Sequence, residues 1–168
     1  SNEIKCNIPI IISNHSYLES IADQFNIKYI KINPKDEKNL LKILEDYEVD
    51  LIVLARYMQI IGPNIVSRFE NRIINIHHGF LPAFKGSKPY HRAWEKGVKM
   101  IGATAHYVTS ELDEGPIIEQ DVESVTHHFS VNELIETGRD IERKVLLLAV
   151  QAHLEHRILI HKKRTIIF

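Results

Sequence analysis

Short apolar runs alternating with amphipathic, helix-spaced stretches constrain this chain more than any other feature. Ile8 to Ser13 is a compact apolar run ending in Ser13-Asn14-His15, and Tyr17 to Phe25 after it carries helical spacing. Lys28 to Ile32 reads as a second strand and Asp36 to Tyr47 as an amphipathic helix with Leu40, Leu41 and Leu44 turned inward. Asp50 to Ala55 reads as a fully buried strand. Strands separated by helices need crossover connections, and crossovers set neighbouring strands parallel. The expected fold class is therefore α/β, a mostly parallel twisted sheet with flanking helices.

The second half is less regular. Pro63 to Phe69 reads as a short helix begun by its proline, Arg72 to His77 as a strand, and Pro89 to Lys96 as a helix. Ile101 to Thr109 and Ile117 to Val125 read as strands on either side of a turn at Asp113, and Val131 to His153 is the longest helical pattern. In the tail, Ile158, Leu159 and Ile160, then Ile166, Ile167 and Phe168, flank Lys162-Lys163-Arg164. That pattern fits a hairpin with a self-association surface, so a homo-oligomer is expected. No repeat, low-complexity tract or linker divides the 168 residues, a length suited to one domain with its own core.

Charge and composition narrow the function classes. Lys and Arg number 21 against 22 Asp and Glu, a net charge of -1, and no dense basic block occurs, which argues against a nucleic-acid surface. Cys6 is the single cysteine, so no internal disulfide framework is possible and a reducing compartment is expected. No apolar run approaches the ~20 residues that span a bilayer. The expectation is a cytoplasmic protein without membrane contact that handles a small molecule.

The candidate chemistry sits where an apolar run meets turn residues. Side chains alternate along a strand, so Asn75 and His77 in Arg72-Ile-Ile-Asn-Ile-His77 share a face. The run then breaks at His78-Gly79-Phe80-Leu81-Pro82. A second breaker-rich turn, Leu112-Asp113-Glu114-Gly115-Pro116, offers a carboxylate. Asn75, His77 and Asp113 together supply what acyl transfer needs: a donor to polarise a carbonyl, an acid/base group, and a carboxylate to hold or charge that base. Asp113 beside His77 would favour its cationic form near neutral pH. Taken alone, an Asn and a His at a strand end are more often polar residues satisfied by local hydrogen bonds. His77-His78, His127-His128 and His106 raise the idea of a metal site. Adjacent strand residues face opposite ways and no Cys or His-x-x-x-His helix completes a ligand set, so no metal is expected. Gly86 and Gly102 read as turn and packing residues, Arg139 and Asp140 as an ion pair, and Cys6 as inert. No Gly-x-Gly-x-x-Gly follows any strand, which disfavours a dinucleotide-binding domain.

The longer words around these residues carry a resemblance. Asn75-Ile-His-His-Gly-Phe-Leu-Pro-Ala-Phe-Lys-Gly86, Gly102-Ala-Thr-Ala-His-Tyr-Val108 and Leu112-Asp-Glu-Gly-Pro-Ile-Ile118 resemble the formyltransferase-type domains that handle 10-formyltetrahydrofolate. Leu54-Ala-Arg-Tyr-Met58, Pro89-Tyr-His-Arg-Ala93, Thr137-Gly-Arg-Asp-Ile-Glu142 and Arg164-Thr-Ile-Ile-Phe168 resemble, within them, the formyltetrahydrofolate deformylase family. The resemblance covers nearly the whole chain. It implies a formyltransferase-like, Rossmann-type fold and hydrolysis of 10-formyltetrahydrofolate to formate and tetrahydrofolate. That reaction supplies formate and balances one-carbon pools for purine biosynthesis. The folate is substrate, and no cofactor is implied. The alternative is formyl transfer to glycinamide ribonucleotide, and a non-catalytic ligand-sensing domain is a third reading.

By the same resemblance, Asn75, His77 and Asp113 are catalytic, with His77 a second donor when protonated and His106 in support. Met58, Gln59, Ile60 and Ile61 would line one wall of the substrate site, and Tyr107, Val108, Thr109 and Glu111 the other. Gly79 departs from the Ser usual in the family, which bears on the hydrogen bonds of its loop. The likeness begins at the family's second strand. Residues 1–168 are thus expected to be a formyltransferase-like catalytic domain lacking the first strand, the C-terminal portion of a longer chain whose N-terminal regulatory domain is absent.

Overall fold

A computed structural model describes residues 4–33, 35–81 and 89–168. β1 (Ile10–Ser13) and β2 (Lys28–Lys31) pair in parallel, joined through α1 (Glu19–Gln24). α2 (Glu37–Asp46), β3 (Ile52–Leu54), α3 (Pro63–Arg68) and β4 (Ile73–His77) follow, then α4 (Pro89–Lys96), β5 (Met100–Tyr107) and β6 (Ile117–Ser124). The chain closes with α5 (Val131–Leu154) and the hairpin β7 (Ile158–His161) and β8 (Arg164–Ile167). The central sheet has the order β3-β4-β5-β6.

Parallel pairing is confined to the first half of the chain. β3 and β4 run parallel, whereas β4, β5 and β6 are successively antiparallel, so the α/β sheet is mixed. A short turn around Asp113 joins β5 to β6, and such a connection can only reverse the chain. The expectation of a fully buried third strand is corrected. Val53 is 40% exposed, because among the described residues β3 has a strand neighbour on one side alone, β4.

Local chemistry explains the helices. The Asp36 carboxylate accepts from Asn39 N–H at 3.1 Å and starts α2, whose Leu40 and Leu44 fall one above the other and are buried. α3 begins with Pro63 and takes its cap from α2: Glu37 Oε1 accepts from the N–H groups of Asn64 and Ile65 at 2.8 and 3.3 Å. Gly62 leaves room for that carboxylate, which a Cβ would strike. α5 opens with a capping box between Ser130 and Glu133.

Leu134, Ile141, Val145 and Ala149 recur on one stripe of α5 and pack against Ile101, Ala103, Ala105 and Tyr107 of β5. The opposite face of the sheet holds a second cluster in which Ile73 meets Leu40 and Leu44 of α2, Ile65 of α3 and Phe69 just after it. Asn75 and His77 follow Ile73 on that second face. In the tail hairpin, Ile158 pairs with Ile167 and His161 with Arg164, leaving Leu159, Ile166 and Phe168 exposed.

Candidate active site

Asn75 stands directly opposite His106 in the β4–β5 ladder, and His77 directly opposite Thr104. Directly opposed residues share a face, so all four side chains lie on the side away from α5. His106 Nδ1 is 2.8 Å from the Tyr107 carbonyl, which fixes that nitrogen as the donor. Its Nε2 is then an acceptor, and Asn75 Nδ2 donates to it at 3.3 Å. This bond sets the Asn75 amide orientation and leaves its second N–H available.

Asp113 reaches these residues from the β5–β6 connection. Its φ of 58° is the left-handed conformation that Asp tolerates better than most side chains. Gly115 packs so close to the Tyr107 carbonyl that a Cβ there would collide with it, and Tyr107 N–H donates to the Pro116 carbonyl at 2.9 Å. The turn is thereby folded back over the sheet. Asp113 Oδ2 lies 3.4 Å from His77 Nδ1 and Oδ1 lies 3.6 Å from His106 Nε2, with the three side chains 14%, 9% and 2% exposed. An amide, two imidazoles and a carboxylate thus converge in a setting where electrostatic effects are weakly screened.

One expectation is reversed. Burial holds His77 below the ordinary histidine range, and His78 and His106 push the same way, which outweighs the upward pull of Asp113. The balance favours the neutral ring over the cation that Asp113 alone would favour. With Nδ1–H turned to Asp113, Nε2 carries the lone pair, and it is buried with no hydrogen-bond partner among the described residues. An orphaned buried polar atom costs roughly 1–3 kcal/mol, so its retention points to use. His78 does not face away as strand alternation would have it. It lies beyond the end of β4, and its ring stacks on His77 with centroids 5.0 Å apart.

The expected binding residues divide. Met58, Gln59 and Ile60 are exposed on the segment after β3, which leaves the sheet level with Asn75. Ile61 and Val108 pack against the cluster of Leu40, Leu44, Ile65, Phe69 and Ile73, so what they can offer a ligand is backbone. Thr109 Oγ1 donates to the Glu111 carbonyl at 3.1 Å and closes the turn, while the Glu111 side chain is exposed. The Tyr107 side chain is turned away from the site. Its neighbour His106 takes the site face, so the Tyr107 ring lies toward α5 and its hydroxyl meets His153 Nδ1 at 2.7 Å.

Other expectations also shift. Asp140 pairs with Arg143 at 3.2 Å. Gly86 lies outside the described residues. Gly79 lacks a hydroxyl, yet its loop keeps a hydrogen bond through its own carbonyl, which accepts from Thr104 Oγ1 at 2.8 Å. Gln120 carries no sequence signal of its own, and its partnership with Thr104 emerges only from strand register. No group of His, Cys, Asp or Glu among the described residues has the arrangement to hold a metal ion.

Residues 6–150 match the family model described as formyl transferase. The chain belongs to the formyl transferase family. Within it, the chain is similar to the formyltetrahydrofolate deformylase of Synechocystis, 56% identical across 100% of this chain and 61% of the relative. The Bacillus subtilis deformylase is 53% identical over 100% and 58%. A solved formyltetrahydrofolate deformylase from Pseudomonas syringae superposes with a TM-score of 0.94 at 46% identity, covering 99% of this chain and 58% of that one. A glycinamide ribonucleotide transformylase from Symbiobacterium toebii gives 0.88 at 32% identity, covering 95% and 79%. The chain thus spans about three fifths of the length of these curated formyltetrahydrofolate deformylases.

Proposed function

We propose that the chain is the catalytic part of an enzyme that hydrolyses 10-formyltetrahydrofolate to formate and tetrahydrofolate. The observation that carries this reading is that Asp113 holds His77 through Nδ1 at 3.4 Å and leaves Nε2 unpartnered, with Asn75 on the same strand face. The N10-formyl group is an amide-like carbonyl that water attacks to form a tetrahedral adduct. His77 Nε2 takes a proton from the water as its oxygen bonds to the formyl carbon, and Asp113 stabilises the resulting imidazolium. The free N–H of Asn75 serves the developing oxyanion, a donor whose loss typically costs roughly 10²- to 10³-fold in rate. Collapse of the adduct breaks the carbon–N10 bond, and His77 returns its proton to the departing nitrogen.

Formyl transfer to an amine would use the same groups, so the site chemistry alone does not separate the two reactions. The greater identity to proteins named formyltetrahydrofolate deformylase favours water as the acceptor. Formate release from 10-formyltetrahydrofolate without any added amine is the expected result. Strict dependence on glycinamide ribonucleotide would overturn the hydrolytic reading. The exposed apolar side chains of the tail hairpin support assembly into a homo-oligomer. Among the described residues no helix is long and apolar enough to cross a membrane, and the proposed location is the cytoplasm.

A further inference from the structure

Gln120, Thr104 and His77 form one row across β6, β5 and β4: Gln120 lies opposite Thr104, and Thr104 opposite His77. Gly79 to Leu81 runs on directly from His77-His78, and outside the ladder its backbone is tied down by side chains of this row. Thr104 Oγ1 donates to the Gly79 carbonyl at 2.8 Å and accepts from Leu81 N–H at 3.1 Å. Gln120 Nε2 donates to Thr104 Oγ1 at 2.9 Å and to the Leu81 carbonyl at 3.1 Å.

The network is saturated. A hydroxyl has one donor and two acceptor sites, and all three at Thr104 are used. Both N–H bonds of the Gln120 amide are used as well, which fixes its orientation. Thr104 is fully buried, so loss of either side chain strands partners that water cannot readily serve.

We propose that Gln120, acting through Thr104, is a positioning residue that pins Gly79–Leu81 and so keeps His77 placed and shielded from water. The activity part of the test rests on the hydrolytic reading above; the titration part does not. Asp113 from the β5–β6 turn, His106 from β5 and His78 from its own segment face His77. Gln120→Leu changes none of them, so a shift in His77 titration reports solvent access.

The experiment follows the His77 titration by NMR, together with amine-free formate release across pH, in the intact protein. In Gln120→Leu the His77 midpoint moves up toward the ordinary histidine value and the acid limb of kcat moves with it. The same variant loses roughly 10- to 10²-fold in kcat, the scale of a small misplacement, with KM near wild type. Thr104→Ser, which keeps the hydroxyl, behaves as wild type, and Thr104→Val repeats the Gln120→Leu pattern. Gln120→Asn keeps the amide but shortens its reach, and gives the same readout should the leucine variant fail to fold. A folded Gln120 variant with wild-type His77 titration and wild-type kcat overturns the inference. Absence of amine-free formate release in the wild type defeats the hydrolytic reading instead, and the titration still decides the role of Gln120.

Discussion

His77 sits under opposing influences, and their balance sets what it can do. Asp113 at 3.4 Å favours the imidazolium, but burial and two neighbouring imidazoles favour the neutral ring. A neutral ring whose far nitrogen is unpartnered is poised to take a proton, and the nearby carboxylate then stabilises the charge that appears. Asp113→Asn keeps the size of the side chain and removes that charge. Turnover should fall roughly 10²- to 10⁴-fold while circular dichroism and folate affinity stay near wild type. Near-normal turnover in a folded Asp113→Asn protein removes Asp113 from the proposed chemistry. The Asn75–His77 pair was legible in the sequence because strand alternation is a rigid rule. The protonation state of His77 was not, since it depends on burial and on groups from three separate segments.

β5 divides the protein into a chemical face and a structural one. His106 and Thr104 lie toward the site, while Ala103, Ala105 and Tyr107 lie toward α5. Tyr107 shows the division most plainly: burial pushes its hydroxyl up to about 12, and it is hydrogen-bonded to His153 Nδ1 at 2.7 Å. Tyr107→Phe should therefore cost stability and spare catalysis. Leaving His153 Nδ1 without its hydrogen-bond partner costs about 1–3 kcal/mol, read as a lower Tm, with kcat unchanged. A large loss of kcat in Tyr107→Phe at full folding contradicts the two-face assignment. α4 docks on α5 by a comparable fit. Gly138 makes room for the Tyr90 ring, which a Cβ would strike, and the Tyr90 hydroxyl donates to Glu142 at 2.7 Å.

For the whole molecule, the buried His77 and the partly buried His153 tie folding to pH. Burial is the main cause that lowers both His77 and His153, with His78 and His106 adding to the first and His156 and Arg72 to the second. Unfolding restores each to the ordinary value of about 6.5, so below that pH the unfolded chain binds more protons than the folded one. Stability is therefore full above the ordinary histidine value and declines as pH falls through it toward the lowered folded values. Tm measured against pH should drop in that window, and His153→Gln should flatten the drop. A Tm that stays level there in the wild type excludes the linkage. Asp121, held low mainly by its bond to Lys144, titrates in a more acidic range, and its exposed position makes its share small.

Sequence by itself determined the order and kind of the elements, because hydrophobic period, caps and breakers are local properties. The runs around Ile10–Ser13, Lys28–Lys31 and Glu37–Asp46 fall within a few residues of their expected bounds, and the longest helix, Val131–Leu154, within one. The likeness carried by the words around Asn75 and Asp113 likewise identified the family before any coordinates. Tertiary structure alone decided the antiparallel pairing of β4 with β5, the exposed flank of β3 and the turning of the Tyr107 ring away from the site. It also decided the saturated bonds of Thr104 and Gln120 and the neutral state of His77. Each of these depends on which distant residues share a strand register or a dry pocket, and neither register nor desolvation is written in any local stretch of chain.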